Sequence, residues 1–534
     1  NVMKQDGGVA GRDHVESKRW GIAPSIAFGL DTPTRTTLSY LHVEQDNVPD
    51  GGIPTVGLKG YYNAALAAAG IGARKVDTEN FYGSKHDFED VSLDMFTVKV
   101  EHDIAPGTTV RNTSRWGKVR HELLLTAPGS ANSSATNPNG INAGNVNNPE
   151  TWTVTRSRQT KWQENELLTN QTNLTTEFST GPLAHSLSAG LEFIHERQLT
   201  KTLVGAGSMV PGNLYDPIRH DPVSNYDLGT DGRKADGETT TIGAYLFDTA
   251  KLGERTEARN VVASTATSHP ALPVGTLVPL NIDAKDTLTS WKVGALYKPA
   301  ANGSIYAAYA TSKQPPGGSN FTLSATGINN PNMDPQEART IELGTKWDLL
   351  DERLAFTAAI YRTENKNDLT QTDPATGDVT QWGKKTVKGI ELGLVGAITP
   401  AWQVSAGLAR MKTEVEEGST SQQGNAVQWS PELSFTAWTT YRLPFGLTVG
   451  GGARYVDSML RSSNDATATT NMPEVDDYWV YDAMASYEIS KNVSLQLNVY
   501  NLTDKKYVAS MNNNGARFTP GTPRSALLSA NFQF

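Results

Sequence analysis

Two stretches of the chain gather cationic and aromatic side chains closely enough to do binding chemistry. The first is Gly60-Tyr61-Tyr62-Asn63, followed by Arg74, Phe81, Tyr82 and Lys85; the second is Trp116 with Arg115, Lys118 and Arg120. Guanidinium groups pair with anions and stack on rings, while Tyr and Trp offer flat faces and hydrogen bonds, so both stretches are candidates for ligand contact. Loop-on-loop packing is the competing reading of the first stretch. Neither carries the residues of a reaction. The chain has no His-Glu-x-x-His, no nucleophile elbow and no phosphate loop. Its nine His, among them His14, His86, His121 and His195, are scattered singly, and there is no Cys to serve as nucleophile, disulfide partner or thiolate ligand. What the residues offer is recognition without catalysis.

Residues that recognise a ligand need a scaffold, and composition narrows the choice. At 534 residues the chain can form several soluble domains or one large barrel. A net charge of -9 argues against nucleic acid, whose binders present a basic face. No run of about 18 apolar residues occurs, so no transmembrane helix is available. A β-barrel wall escapes that test, because only every second residue meets lipid and its strands read as half polar. The opening Asn1-Val2-Met3-Lys4 has no signal-peptide pattern, as is equally true of mature exported chains.

Period-two alternation runs along the chain and puts different side chains on the two faces of each strand. Leu528, Ala530, Phe532 and Phe534 oppose Ser529, Asn531 and Gln533; Val493, Leu495, Leu497 and Val499 oppose Ser494, Gln496 and Asn498. The same holds for Ile390, Leu392 and Leu394 against Gly389, Glu391 and Gly393, and for Trp20, Ile22, Ile26 and Phe28 against Gly21, Ala23, Ser25 and Ala27. A soluble sandwich also alternates. The rhythm of connections separates the two. Short turns stand at Asp31–Thr34, Ala105–Thr108, Gly181-Pro182, Asp351–Arg353, Thr399-Pro400, Pro444–Gly446 and Lys491-Asn492. Between them lie long polar segments at 46–89, 127–163, 201–240, 313–335, 364–385, 413–428, 457–477 and 508–524. Short turns at one end and long loops at the other characterise outer-membrane barrels. Trp20, Trp291, Trp347, Trp402, Trp429, Tyr441 and Tyr455 fall near strand ends, as an interfacial girdle requires. Counting hairpins gives about 20 strands, closer to a plugged transporter than to an open porin. One hairpin is irregular: after the turn at 251–254 the return strand, Arg255–Arg259, is short and highly charged.

Several strand-end motifs resemble TonB-dependent receptors, specifically catecholate siderophore receptors of the Fiu and PiuA type. They include His185–Glu192, Gly243–Thr249, Ser304–Ala310, Pro335–Lys346, Lys388–Leu392, the loop stretch Thr78–Gly83 and, most specific, Asn498-Val-Tyr-Asn-Leu-Thr-Asp-Lys-Lys-Tyr507. The resemblance implies an all-β fold, a transmembrane antiparallel β-barrel of the 22-stranded TonB-dependent receptor type, with about 20 strands present. It implies one barrel domain over 1–534, the N-terminal plug and first strands lying outside this chain, which reads as starting near the third strand. The implied function is import of a ferric siderophore of the catecholate type across the outer membrane of a Gram-negative bacterium. Other cargoes of the same machinery (hydroxamate siderophore, haem, cobalamin) and a passive porin are the alternatives. The implied partners are the ferric siderophore, outer-membrane lipid and, through the missing N-terminal region, the TonB-ExbB-ExbD complex, with the receptor a monomer that binds no nucleic acid. No cofactor is implied, since siderophore oxygens already enclose the iron. Ligand contacts then fall to Tyr61, Tyr62, Arg74, Phe81, Tyr82, Trp116 and Arg120, and the inward-facing Arg454, Glu391 and Glu192 either hold the plug or pair within the wall.

Overall fold

The computed structural model describes all residues except 253–255, 263–265, 272–281, 317–322, 324–329, 332, 373–378 and 534. One antiparallel sheet forms the wall. It starts with β1 (Val2–Gly8), β2 (Glu16–Ile22, resumed at Ser25–Phe28), β3 (Thr34–Asn47), β4 (Phe88–Ala105), β5 (Thr108–Pro128), β6 (Arg156–Thr180) and β7 (Leu183–Val204). It continues with β8 (Gly229–Leu252), β9 (Thr256–Val262, resumed at Ala266–Ala271), β10 (Trp291–Ala300), β11 (Gly303–Gln314), β12 (Gln336–Leu349) and β13 (Leu354–Thr372). The last strands are β14 (Val379–Thr399), β15 (Trp402–Glu417), β16 (Leu433–Arg442), β17 (Leu447–Val456), β18 (Tyr478–Ser490), β19 (Val493–Tyr500) and β20 (Ser525–Phe532). The 22 segments of this sheet resolve to 20 strands, because β2 and β9 are each interrupted once. Pro24 breaks β2, having no N–H to give the ladder, yet both halves pair with β3. Each strand pairs with its neighbours in sequence, and among the described residues β1 and β20 are paired on one side only. No helix is long and apolar enough to cross a membrane.

Register assigns the two faces. Ile26, Leu38, Val98, Ser114 and Asn170 form one row across β2 to β6; Leu343, Ile360, Ile390 and Arg410 form another across β12 to β15. This face exposes Ile26, Leu191, Ile242, Ile360, Ile390 and Leu497, and is the lipid-facing one. Aromatic residues bound it at both ends. Tyr40, Phe96 and Trp116 are cross-strand partners at the long-loop end, as are Phe435, Tyr455 and Trp479; Trp402 pairs with Tyr441 at the short-turn end. The opposite face is polar: Glu101 bridges Lys99 at 2.9 Å and Arg111 at 2.7 Å, and the Tyr306 hydroxyl donates to Glu342 at 2.6 Å.

The seven short turns lie where alternation predicted them, with an eighth at Ala301-Asn302. Several loops are shorter than expected, since β6 begins at Arg156, β8 begins at Gly229, and β13 runs to Thr372 with β14 starting at Val379. The irregular return strand is longer than its charged opening suggested: β9 runs on to Ala271 and pairs with β8 along both halves, Thr256–Val262 also pairing with β10. Trp429 does not join the girdle; it sits in a loop at φ 59° and packs against the loop core described below. Residues 253–255, most of the 313–335 segment between 317 and 329, and Phe534, all part of the sequence reading, lie outside the described residues.

Candidate ligand-binding mouth

The principal buried apolar core is in the long loops, which fold together into a cap at one end of the wall. Ile53, Val56, Leu66, Val76 and Tyr82 from 48–87 pack with Ile141, Trp152 and Val154 from 129–155, Leu214 from 205–228, Met472 and Val475 from 457–477, and Met511 and Phe518 from 501–524. Small antiparallel pairings knit it, including Ile53–Pro54 with Arg517–Pro520 and Thr153–Val154 with Gly212–Asn213. Polar links close the remaining backbone groups: Thr55 Oγ1 donates to Gly515 O at 2.6 Å, and Asn63 Nδ2 to Asn132 Oδ1 at 2.8 Å. Asn63 also caps the single α-helix among the described residues, Ala64–Ala69, by accepting from Leu66 N.

Tyr61 and Tyr62 are brought to cavities of the cap. Both line a cavity of about 320 Å³ with Lys59 and Asn63, and a second of about 220 Å³ with Ser130, Asn132, Asn471 and Asn514. The Tyr62 backbone N–H donates to Asn471 Oδ1 at 3.0 Å, which fixes the pair against the 457–477 loop. Burial holds the Tyr61 hydroxyl well above the usual tyrosine range, so it acts as a neutral phenol. A larger cavity of about 600 Å³ adjoins, with Arg12, Lys59, Lys75, Lys505 and Lys506 among its cations and Asp50, Asp77, Asp476 and Asp477 among its acids. Arg12 is held by Asp50 at 2.7 Å and Lys59 by Asp476 at 2.6 Å.

The other expected contacts are placed elsewhere. Arg74 lies 4.0 Å above the Tyr215 ring centroid and pairs with Glu150 at 3.0 Å, so its stacking face is taken by the cap itself. Gly57, at φ +80°, lets the Arg74 backbone pass close to it: a Cβ there would stand 2.3 Å from the Arg74 carbonyl oxygen. Phe81 and Tyr82 are buried, 4% and 1% exposed, and the Tyr82 hydroxyl donates to Leu214 O. Packing of loop on loop is their role. The second stretch is divided by strand geometry, because successive side chains leave opposite faces. Trp116, Lys118 and Arg120 point outward on β5, Arg120 pairing with Glu122; Arg115 points inward and donates to Thr97 Oγ1 at 3.1 Å. Arg454 reaches the Tyr507 hydroxyl at 3.4 Å.

Sequence reasoning did not see what Asn501 does. At φ 49° and 1% exposure, its amide donates to Lys505 O at 3.0 Å and Thr522 O at 2.9 Å, while Asp482 accepts from its backbone N–H at 2.7 Å. Asn-Leu-Thr-Asp-Lys-Lys-Tyr therefore closes the base of the last loop. Tyr507 completes the closure by stacking on Tyr478 at 4.2 Å and covering Gly521, where a Cβ would lie 2.0 Å from the ring.

An antiparallel wall with an apolar outer belt, a polar lumen and a looped mouth defines a large membrane-spanning β-barrel. Residues 20–502 match the family model described as TonB dependent receptor-like, beta-barrel, and the chain belongs to this family. It is 41% identical, over its whole length and 72% of the relative's, to the catecholate siderophore receptor Fiu of Escherichia coli K12. It is 33% identical to the probable TonB-dependent siderophore receptor PiuA of Acinetobacter baumannii, over 97% of this chain and 70% of that one. The crystal structure of the ferric-catecholate import receptor Fiu in its closed form superposes with a TM-score of 0.90 at 39% identity, covering all of this chain and 77% of that one.

Proposed function

We propose that this chain is the barrel of a Gram-negative outer-membrane receptor that imports a ferric siderophore of the catecholate type. Whole-length similarity to a catecholate siderophore receptor, far above the level at which only a fold is shared, carries this reading. The mouth supports it chemically. Phenols at Tyr61 and Tyr62 donate hydrogen bonds to catecholate oxygens and offer ring faces, and lysines nearby offset the ligand's negative charge. No bond of the ligand is broken, and the iron keeps its own oxygens. Energy for release comes from the TonB-ExbB-ExbD complex acting through a plug region N-terminal to the barrel, and the receptor works as a monomer.

Binding of a ferric tris-catecholate to the purified full-length receptor, followed by tryptophan fluorescence, tests the reading. Saturable quenching by the catecholate, with a much weaker response to a ferric hydroxamate, is expected. Equal or stronger response to the hydroxamate contradicts the cargo assignment.

A further inference from the structure

The outer face carries a charge pattern that ligand import does not use. Just beyond the apolar belt, toward the loops, Arg362, Lys388 and Lys412 are direct cross-strand partners on β13, β14 and β15. Like charges directly opposite one another destabilise a sheet. Neighbouring strands are about 4.8 Å apart, so the three cations span roughly 10 Å. Arg410 adds a fourth, one row nearer the belt and opposite Ile390. Elsewhere on the same face the corresponding row alternates in sign: Asp94, Lys118, Glu166, Arg197 and Glu238 are successive partners across β4 to β8. The all-cation row is therefore not a general property of this rim.

The carboxylates near the row lie on its water side. Arg362 pairs with Glu364 at 2.7 Å and Glu416 at 3.4 Å, and Lys412 comes no closer than 3.8 Å to Glu414. Arg410 pairs with Glu432 at 3.0 Å. Lys388 has no hydrogen-bonding or ionic partner among the described residues, and Arg362 Nε is buried without one. On the bilayer side the same strands present Ile360 and Ile390, 51% and 49% exposed. Cations facing the belt with acids behind them match the depth at which lipid phosphates lie.

We propose that Arg362, Lys388 and Lys412 form a binding site on the outer wall for the phosphate-bearing headgroup of an outer-leaflet lipid. The apolar rows below receive its acyl chains, and the phosphate supplies the counter-charge that Lys388 lacks among the described residues. Depth favours a lipid over a soluble anion, because a free phosphate would have to sit against exposed isoleucines.

The test uses the full-length receptor in nanodiscs of phosphatidylcholine doped with bisphosphorylated lipid A, with retained lipid counted by native mass spectrometry after delipidation. The wild type is expected to retain lipid A in preference to phosphatidylcholine. The variant R362Q/K388Q/K412Q is expected to lose at least tenfold of that retention, while K118Q, in the alternating row, keeps it. Should the triple variant fail to fold, K388Q alone, which removes no protein contact, is expected to lose several-fold. Retention unchanged in K388Q and the triple variant, or no preference over phosphatidylcholine, overturns the proposal. Displacement of the lipid by millimolar inorganic phosphate overturns the assignment to a lipid.

Discussion

Trp116 on β5 stands directly opposite Phe96 on β4, on the outer face, while Arg115 beside it reaches Thr97 on the inner face. A sequence cluster that reads as one binding surface is thereby cut in two by the pleat. Trp116 belongs to the upper aromatic girdle, where an amphipathic ring anchors the wall at headgroup level. Trp116→Ala and Arg120→Ala are expected to leave affinity for a ferric catecholate within twofold. In liposomes, Trp116→Phe should lose the fluorescence quenched by lipids brominated near the headgroup. A tenfold loss of affinity in Trp116→Ala would instead place this residue at the ligand.

Tyr82 should matter through the cap. Tyr82→Phe leaves the Leu214 carbonyl unpaired and costs about 1 kcal/mol of cap stability; Tyr82→Ala empties a buried ring site and costs about 3–5 kcal/mol. Limited proteolysis of the 48–87 and 205–228 loops measures both, and Tyr82→Ala should be cut much faster.

The same residue predicts a pH response. Burial raises its hydroxyl above the ordinary value of 10.0. A raised folded-state pKa means that its contribution is fully present below pH 10 and is lost as pH rises through the folded value. The wild-type absorbance at 295 nm should therefore show late-titrating tyrosines, Tyr61 and Tyr82 among them, with one fewer in Tyr82→Phe, and loop proteolysis should accelerate as pH rises past the ordinary tyrosine value.

Tyr61 and Tyr62 are the aromatic residues of the first stretch that line cavities. Tyr61→Ala and Tyr62→Ala should each weaken ferric catecholate binding about tenfold, equivalent to roughly 1.4 kcal/mol, with the loops still protease-resistant. Unchanged affinity in the double variant removes the pair from the binding surface.

Asn501 should be as sensitive as a core residue. Asn501→Ala leaves two carbonyls and the Lys505 N–H without partners and strains a left-handed backbone position, a cost of about 2–4 kcal/mol. Hydrogen exchange over 501–524 should rise by two orders of magnitude or more, with the strands β1 to β18 unaffected.

The wall was largely legible in the sequence because lipid imposes one simple rule: most outward residues of the belt are apolar or aromatic whatever their partner, so Leu495, Leu497 and Leu528 declare their face one by one. The turn at Ala301-Asn302 has its own local signal in Asn302-Gly303. The mouth was less legible. Tyr82 meets Leu214 and Tyr62 meets Asn471 across separations of 132 and 409 residues, and no local pattern encodes such meetings. Composition singled out Tyr61 and Tyr62, which line cavities, together with Phe81 and Tyr82, which are buried, and could not tell the two pairs apart, since burial is decided by five loops together. The Asn501 motif was recognisable as a family hallmark, yet its mechanical role needed the coordinates of Lys505, Asp482 and Thr522.

The central claim, TonB-driven import of a ferric catecholate, is tested most directly by uptake of radiolabelled iron. Cells with the full-length gene deleted or restored are given a ferric catecholate, with and without TonB. Uptake restored by the gene only when TonB is present is the predicted result. Uptake that is equal with and without TonB, or equal in deleted and restored cells, contradicts it.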